Sequence, residues 1–239
     1  DDFLKEKFNE GNQILLEEVP RDGFDLKELW PDSPHTQSLK DLFLDDTNNI
    51  SGVDIRPYLI PFSWDVIEVE GKKSNLIDLP ILDYMIKIRE FMNKKGKFYE
   101  KIFEPAYKKL IVKNSGLGRN LIDICNNYDE ILKVINDTNI EPNKKTISYY
   151  LENNKSLFYS IDKLCDMIME FYIILLSFTT CKPSYIHSGL FHSSNILNYL
   201  IDVYRFSVIY KHGTISFPTN NDNIVSCTLL PNNDNFGII

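Results

Sequence analysis

The sequence predicts an α/β protein with a small parallel or mixed sheet, because short apolar runs alternate with helical patterns along the chain. Apolar runs at residues 14–16, 49–56 and 184–189 have the length of buried strands. Between the last two lies a long segment, at about residues 76–180, in which apolar residues recur at helical spacing. We therefore expect a single α/β domain over residues 1–239 with this segment as a helical insert.

The first elements follow from local patterns. Residues 3–10 have apolar side chains on one helical face, and Gly11 ends this predicted helix. The run at residues 14–16 and the run at residues 49–56, which ends before a proline, are predicted strands. Residues 58–70 are aromatic and prone to form strand.

The insert is expected to contain four helices. The first, at residues 76–93, has a predicted buried face of Leu79, Leu82, Met85, Ile86 and Ile88. The next two, at residues 98–112 and 121–135, are separated by a predicted turn at residues 115–118. The helix at residues 156–179 has the strongest pattern, with a stripe formed by Leu157, Ile161, Leu164, Ile168, Phe171 and Leu175.

Beyond the insert, a strand at residues 184–189 leads into a predicted helix. Ser193 or Ser194 is expected to cap this helix, which runs to about residue 204. Residues 206–210 and 222–230 are predicted strands.

Composition and charge exclude several classes of protein. The net charge of −8 repels phosphate backbones, so we expect no nucleic-acid partner. The longest uncharged apolar stretch is far shorter than the roughly 20 residues of a membrane span. The chain begins without a signal-peptide pattern or an initiator Met, as expected for a fragment or a processed chain. Four cysteines, of which Cys165 and Cys181 are expected to be buried, predict a reducing, cytoplasmic compartment.

Ionisable residues follow three of the predicted strands. Glu17 and Glu18 follow the first strand, Asp54 and Arg56 lie at the end of the second, and His187 and His192 lie at or just past the end of a late strand. Ligands of open α/β sheets bind outside the carboxyl ends of the strands, so we expect these side chains around one crevice. An ordinary ion pair between Asp54 and Arg56, or simple solvent exposure of strand ends, is the alternative.

Residues 187–195 place His187, His192 and two serines at a strand–turn–helix junction. Such a junction offers backbone N–H groups and a positive helix end to an anion. The alternative is that one histidine bonds a backbone carbonyl and the serines cap the helix.

Three segments together resemble the superfamily of ChaN haem-uptake proteins, erythromycin esterases and TraB/Tiki proteins. They are ILLEEVP at residues 14–20, GVDIR at residues 52–56 and YIHSGLFH at residues 185–192. The resemblance implies a strand ending in an acid, a later acidic strand and a Gly-x-x-His motif filled by Gly189 and His192. The Gly-Glu-x-x-His motif that opens those families is missing, so that strand lies upstream of Asp1 or has been lost. The abundance of Asn, Ile and Lys also resembles proteins of large DNA viruses or intracellular pathogens.

Two functions are compatible with these patterns. The first is a hydrolase, metal-assisted or not, acting on a small-molecule or peptide substrate, with His187, His192 and Arg56 as catalytic residues. A divalent metal would bind Glu17 or Glu18, Asp54 and His192, and would lower the pKa of a bound water. The second is a non-enzymatic viral or effector-type protein in the host cytoplasm, which would bind a host protein through Trp30, Phe62 and Trp64.

Overall fold

A computed structural model describes residues 2–18, 49–56, 59, 67–69, 72–74, 79–90, 105–137, 139–141 and 144–209. The chain divides into two compact units, Asp1–His187 and Ser188–Ile239. The strands are β1 (Gln13–Leu16), β2 (Ile50–Gly52), β3 (Ile67–Val69), β4 (Lys72–Ser74) and β5 (Ser184–His187). The helices are α1 (Asp2–Asn9), α2 (Ile81–Glu90), α3 (Pro105–Lys113), α4 (Ser115–Asn136), α5 (Ile147–Asn153), α6 (Lys155–Ser177) and, in the second unit, α7 (Leu190–Asp202).

The first unit contains a three-stranded parallel sheet in the order β2-β1-β5. In the central strand, Leu15 lies opposite Ser51 on one side and Ile186 on the other. Ile14 and Leu15 are fully buried, as a continuous apolar run in a covered parallel sheet should be. The α/β class with a helical insert between the second and last strands of this sheet is therefore confirmed.

Helix α1 covers one side of the first strand. Leu4 is buried against Ile14 and Leu16, and Phe3 and Phe8 pack against the same cluster. Gly11 ends this region with a φ of 79°, a left-handed conformation that glycine adopts without a steric cost. The predicted helix and the strand that follows it are both confirmed.

Helix α6 is the longest and most deeply buried helix of the described residues. Asn154 caps it, because its side-chain oxygen accepts a hydrogen bond from the Leu157 N–H. All six residues of the predicted stripe are buried, and the second half is buried on every face from Met167 to Leu176. The helix packs against α4 and α5, so it forms the centre of the helical insert.

The predicted face of α2 was wrong in part. Leu82 and Ile86 are exposed, whereas Ile81 and Tyr84 are buried beside Met85 and Ile88. Apolar residues occur on both sides of this helix, so spacing alone does not select the buried side. Tyr84 is tolerated in the core because its hydroxyl donates to the Leu59 carbonyl at 2.6 Å.

Several element boundaries also differ from the prediction. The strand expected over residues 49–56 ends at Gly52. The expected turn at residues 115–118 is the first turn of α4, which Asn114 caps by accepting from the Gly116 and Leu117 N–H groups. Residues 67–69 and 72–74, at the end of the predicted β-prone segment and just beyond it, form an antiparallel pair.

Further corrections concern the late chain. Cys165 is buried as expected, but Cys181 is exposed because it lies after the end of α6. Helix α7 is capped by Gly189 rather than Ser193 or Ser194, which lie inside the helix. Residues 206–209 form no strand, and their large apolar side chains are exposed. The expected strand at residues 222–230 lies outside the described residues.

Candidate functional site

The ends of the three parallel strands are joined through their backbones. The Glu17 N–H donates to the His187 carbonyl at 2.9 Å, and the Asp54 N–H donates to the Glu18 carbonyl at 3.0 Å. Both bonds lie just past the regular strands and continue their pairing. The structure thus brings the chain positions of Glu17, Glu18, Asp54 and His187 to one edge of the sheet, as parallel strands require.

The chain turns sharply after β2. The Val53 N–H still donates to the Leu16 carbonyl at 2.8 Å, but the Ile55 N–H donates to the Val53 carbonyl at 3.0 Å and closes a tight turn. Val53 and Ile55 are completely buried. This local anchoring fixes the backbone on both sides of Asp54 and directs Arg56 back towards its carboxylate.

Arg56 and Asp54 form a two-point ion pair. The guanidinium donates from Nε to Asp54 Oδ1 at 2.9 Å and from Nη2 to Asp54 Oδ2 at 2.8 Å. The backbone N–H of Arg56 also donates to Asp54 Oδ1, at 3.1 Å. The Asp54 side chain is only 1% exposed and that of Arg56 17% exposed, so the pair is largely removed from water. The ion pair that the sequence raised as an alternative is therefore present.

Two further carboxylates bind the same guanidinium. Nη2 donates to Glu17 Oε1 at 2.9 Å, and Nη1 donates to Asp166 Oδ1 at 3.1 Å. Glu17 comes from the end of β1, whereas Asp166 comes from the middle of α6. Arg56 therefore links two strand ends and the central helix. We call Glu17, Asp54, Arg56 and Asp166 the arginine cluster.

The electrostatics of the arginine cluster favour the charged guanidinium. Burial alone would lower the pKa of Arg56, but the hydrogen bonds and charge of Asp54, together with the charges of Asp166 and Glu17, raise it above its ordinary value. Arg56 therefore carries a positive charge throughout the ordinary pH range. Its role is that of a fixed positive charge, since it cannot exchange a proton with a substrate.

The two histidines lie in different units. His187 ends β5 in the first unit and is half-buried, and its carbonyl accepts from Glu17. His192 lies in the first turn of α7 in the second unit, where it is buried. A role for His192 together with the strand ends of the first unit stays a prediction.

Two serines form hydrogen bonds at the junction before α7. The Ser188 and Ser193 hydroxyls are hydrogen-bonded at 2.8 Å, and the Ser193 hydroxyl donates to the Ser188 carbonyl at 3.0 Å. The N-cap Gly189 has no side chain to bind the first N–H groups of the helix. Here Ser193 ties the first turn of the helix back to the preceding turn, rather than capping it as expected.

Arg56 is the positive partner of Asp54 and Glu17 at the sheet edge. Within the part of the chain that the structure describes, no group of three or more His, Cys, Asp or Glu side chains could hold a metal ion. Both carboxylate oxygens of Asp54 accept hydrogen bonds from Arg56, so a cation at Asp54 would have to displace the guanidinium. The metal set expected from the sequence, Glu17 or Glu18 with Asp54 and His192, stays a prediction that these contacts do not favour.

Asp166 was not among the predicted site residues, because the predicted site comprised strand ends only and the insert was expected to form core. A signal was present: Asp162, Asp166 and Glu170 recur every four residues in a helix that is otherwise strongly apolar. Glu170 is 2% exposed. Charged residues are rarely buried unless they are paired, so acids on such a helix indicate a partner on another element.

The buried cysteine of the same helix is not a nucleophile candidate. Burial raises the pKa of the Cys165 thiol, although the neighbouring Tyr84 hydroxyl, 3.9 Å away, acts in the opposite direction. Burial likewise raises the pKa of Tyr84. A reactive cysteine needs a lowered pKa and access to solvent, and Cys165 has neither.

The fold and the arginine cluster are the observations from which a function can be inferred, because comparison with known proteins found no match. No protein-family model matches the chain, and no curated protein or solved structure matches it. Among the described residues, every helix is too short or too polar to cross a membrane. The chain is thus defined as an α/β protein with a charged cluster at the carboxyl edge of a parallel sheet.

Proposed function

We propose that this chain is a hydrolase whose reacting groups lie at the carboxyl edge of the β2-β1-β5 sheet. The observation that carries the proposal is the arginine cluster, in which one largely buried guanidinium binds carboxylates from β1, from the turn after β2 and from α6. A purely structural ion pair would need only Asp54. Desolvating three carboxylates around one cation is costly, and groups with strongly perturbed pKa values, such as Arg56 here, cluster at functional sites.

The proposed reaction uses the two ionisable residues that end neighbouring strands. A water oxygen forms the new bond to the carbonyl carbon or phosphorus of the substrate, and His187 accepts the water proton as the general base. When the bond to the leaving group breaks, His187 returns this proton to it. Glu17, whose carboxylate is held by Arg56 at 2.9 Å, orients polar groups of the substrate.

Asp54 and Arg56 would act as positioning residues in this reaction. Asp54 is bound at both oxygens, so its role is to hold the guanidinium plane rather than to meet the substrate. A resident metal is not part of the proposal, since Glu17, Asp54 and Asp166 are bound by Arg56. The resemblance to the ChaN, erythromycin esterase and TraB/Tiki superfamily, which the acids at the strand ends help to carry, also favours hydrolysis.

The experiment is a hydrolysis screen of the purified chain against chromogenic carboxylic esters, phosphate esters and peptide amides. The variants are His187→Asn and Glu17→Gln, and the control is Glu141→Gln, which removes one partner of the exposed pair with Lys144. We expect His187→Asn to lose roughly 10²–10⁴-fold in kcat/KM, as for loss of a general base. The control should stay within about twofold of the parent, because exposed ion pairs contribute little.

Two results would overturn the proposal. One is no turnover of any substrate class by the parent chain, and the other is full activity of the His187→Asn variant. Dialysis against a chelator, followed by return of Mg²⁺, Mn²⁺ or Zn²⁺, separates the metal-free reaction from the metal-assisted one. We expect no change on dialysis. The binding-protein alternative depends on Trp30, Phe62 and Trp64, which lie outside the described residues, and it stays a prediction.

A further inference from the structure

Strand β5 lies at an edge of the parallel sheet, so only one of its sides pairs with β1. The Glu17 N–H donates to the His187 carbonyl at 2.9 Å, and this bond identifies the side that pairs. Because backbone groups alternate in direction along a strand, Ser184 and Ile186 direct their N–H and C=O groups away from β1. Among the residues that the structure describes, none pairs with these four groups.

This outer edge of β5 is preformed and chemically suited to pair with a further strand. The strand consists of Ser184, Tyr185, Ile186 and His187, and it contains neither Pro nor Lys, which commonly block pairing at sheet edges. The Tyr185 ring packs edge to face against Phe3 of α1, with ring centroids 5.7 Å apart. Since this contact and the pairing with β1 already hold the strand, a partner has little ordering of β5 to drive.

We propose that the outer edge of β5 binds an extended peptide, which adds to the sheet as a further strand and is the substrate of this chain. The inference rests on the proposed function for cleavage of the peptide, but not for its binding. N–H and C=O groups that alternate at strand spacing are complementary to another extended main chain, which is how peptides add to sheet edges. A phosphate ester or a small carboxylic ester has no such main chain.

The length of β5 favours a peptide over a second copy of the chain. Its four residues span about 13 Å at the rise of a strand. Pairing two such strands covers far less than the roughly 1,200 Å² of surface that a stable protein interface buries. A short peptide needs no more than this edge, because its own backbone supplies the hydrogen bonds.

The outer edge of β5 also ends at the proposed general base. His187 is the last residue of the strand and follows Ile186 directly. A peptide paired with Ser184 and Ile186 runs about 4.8 Å from β5 and continues past the end of the strand. There a water oxygen bonds to a carbonyl carbon of the peptide and the C–N bond breaks. The amine nitrogen leaves with the proton that His187 took from the water.

The test measures amide hydrogen exchange of the full chain by NMR, with and without peptide. The probe is a mixture of octapeptides, acetylated and amidated at their ends and randomised over all residues except Pro and Cys. We expect the Ser184 and Ile186 N–H groups to exchange roughly tenfold more slowly near saturation, because they become hydrogen-bonded. The Ile50 and Gly52 N–H groups face away from β1 on the other edge of the sheet, and they should change little.

Two matched controls isolate the backbone hydrogen bonds. The same peptide mixture with every backbone nitrogen methylated keeps its side chains but cannot donate, and it should not protect β5. Ile186→Pro removes an N–H that β1 does not use, so it should weaken peptide binding roughly tenfold while the sheet remains paired. Ile186→Val keeps this N–H and should bind as the parent does. The shift of the Ser184 amide signal measures binding in both variants, and the exchange data on the parent decide the question should the proline variant not fold.

Four results would overturn the peptide site. They are unchanged exchange at Ser184 and Ile186, equal slowing at Ile50 and Gly52, equal protection by the methylated mixture, and full peptide binding by a folded Ile186→Pro chain. Exchange at Ser184 and Ile186 that is already as slow as at Tyr185 without peptide would also overturn it, because another segment or a second copy would then occupy the edge.

Cleavage is followed separately by mass spectrometry of the peptide mixture. Protection of β5 together with cleavage supports both proposals. Protection without cleavage of any peptide leaves the binding site standing but overturns the peptide as substrate. Turnover of chromogenic esters without protection of β5 leaves the hydrolase standing and overturns the peptide site alone.

Discussion

Arg56 donates to both carboxylate oxygens of Asp54, at 2.9 Å and 2.8 Å, although only Ile55 separates the two residues in the chain. This short loop is possible because Val53 and Ile55 are buried on either side of Asp54 and the backbone turns between them. The ion pair is thus built into the end of β2, and the contacts with Glu17 and Asp166 extend it to two further elements.

Replacing Asp54 by Ala should strongly destabilise the first unit. The change leaves the Arg56 charge largely buried without its two-point partner, and breaking a buried pair costs about 3–5 kcal/mol. Urea unfolding followed by circular dichroism measures the loss. Glu141→Gln serves as the control, because its pair with Lys144 is exposed and should contribute less than about 1 kcal/mol. Equal losses in the two variants would mean that the Asp54–Arg56 pair does not stabilise the fold.

Replacing Phe171 or Leu175 by Ala should leave a cavity in the centre of the helical insert. Both side chains lie on the fully buried part of α6, so we expect losses of roughly 2–5 kcal/mol in the free energy of unfolding. Tyr159→Ala on the same helix is the matched control, since Tyr159 is 65% exposed and should cost about 0.5 kcal/mol or less. A loss below about 0.5 kcal/mol at Phe171 would show that α6 is not a core helix.

The cysteines of the described residues should differ sharply in alkylation. Cys165 is buried, so iodoacetamide cannot reach its sulfur. Burial also raises the pKa of this thiol, so little reactive thiolate is present. Cys181 is exposed and should react fastest, whereas Cys125 is exposed but has a pKa raised by its partial burial and should react more slowly. Mass spectrometry of peptides from samples taken over time measures the three alkylation rates. Labelling of Cys165 in the native chain as fast as Cys181 would contradict the packing of α6.

The pair between Lys7 and Glu10 at the end of α1 should make stability depend on acid pH. The hydrogen bond from Lys7 at 2.9 Å lowers the pKa of Glu10 below its ordinary value of 4.5. The unfolded chain therefore takes up the proton first, so this contribution is complete above about pH 4.5 and is lost as the pH falls through the lower value of the folded state. Unfolding of the parent and of Glu10→Gln, compared over acid pH, should show a difference that shrinks in this window. A difference that stays constant over this window would contradict the contribution of the pair.

The sequence by itself determined the elements whose residues carry a regular pattern. The helix α1, the strands β1 and β5 and the stripe of α6 could be predicted, because local spacing decides which side chains a helix or strand can bury together. The sequence also placed Glu17, Glu18, Asp54 and His187 at strand ends, and parallel pairing brought these positions to one edge.

Only the tertiary structure decided which side chains meet. Leu82 and Ile86 had the spacing of a buried face, but the neighbours of α2 cover its other side, where Tyr84 finds a carbonyl partner. No local pattern around Asp166 identifies Arg56 as its partner, since the two residues are 110 positions apart in sequence. They meet because the central helix lies beside the strand ends. A repeating pattern predicts which side chains of one element are buried. The partner of a buried charge depends on how distant elements pack.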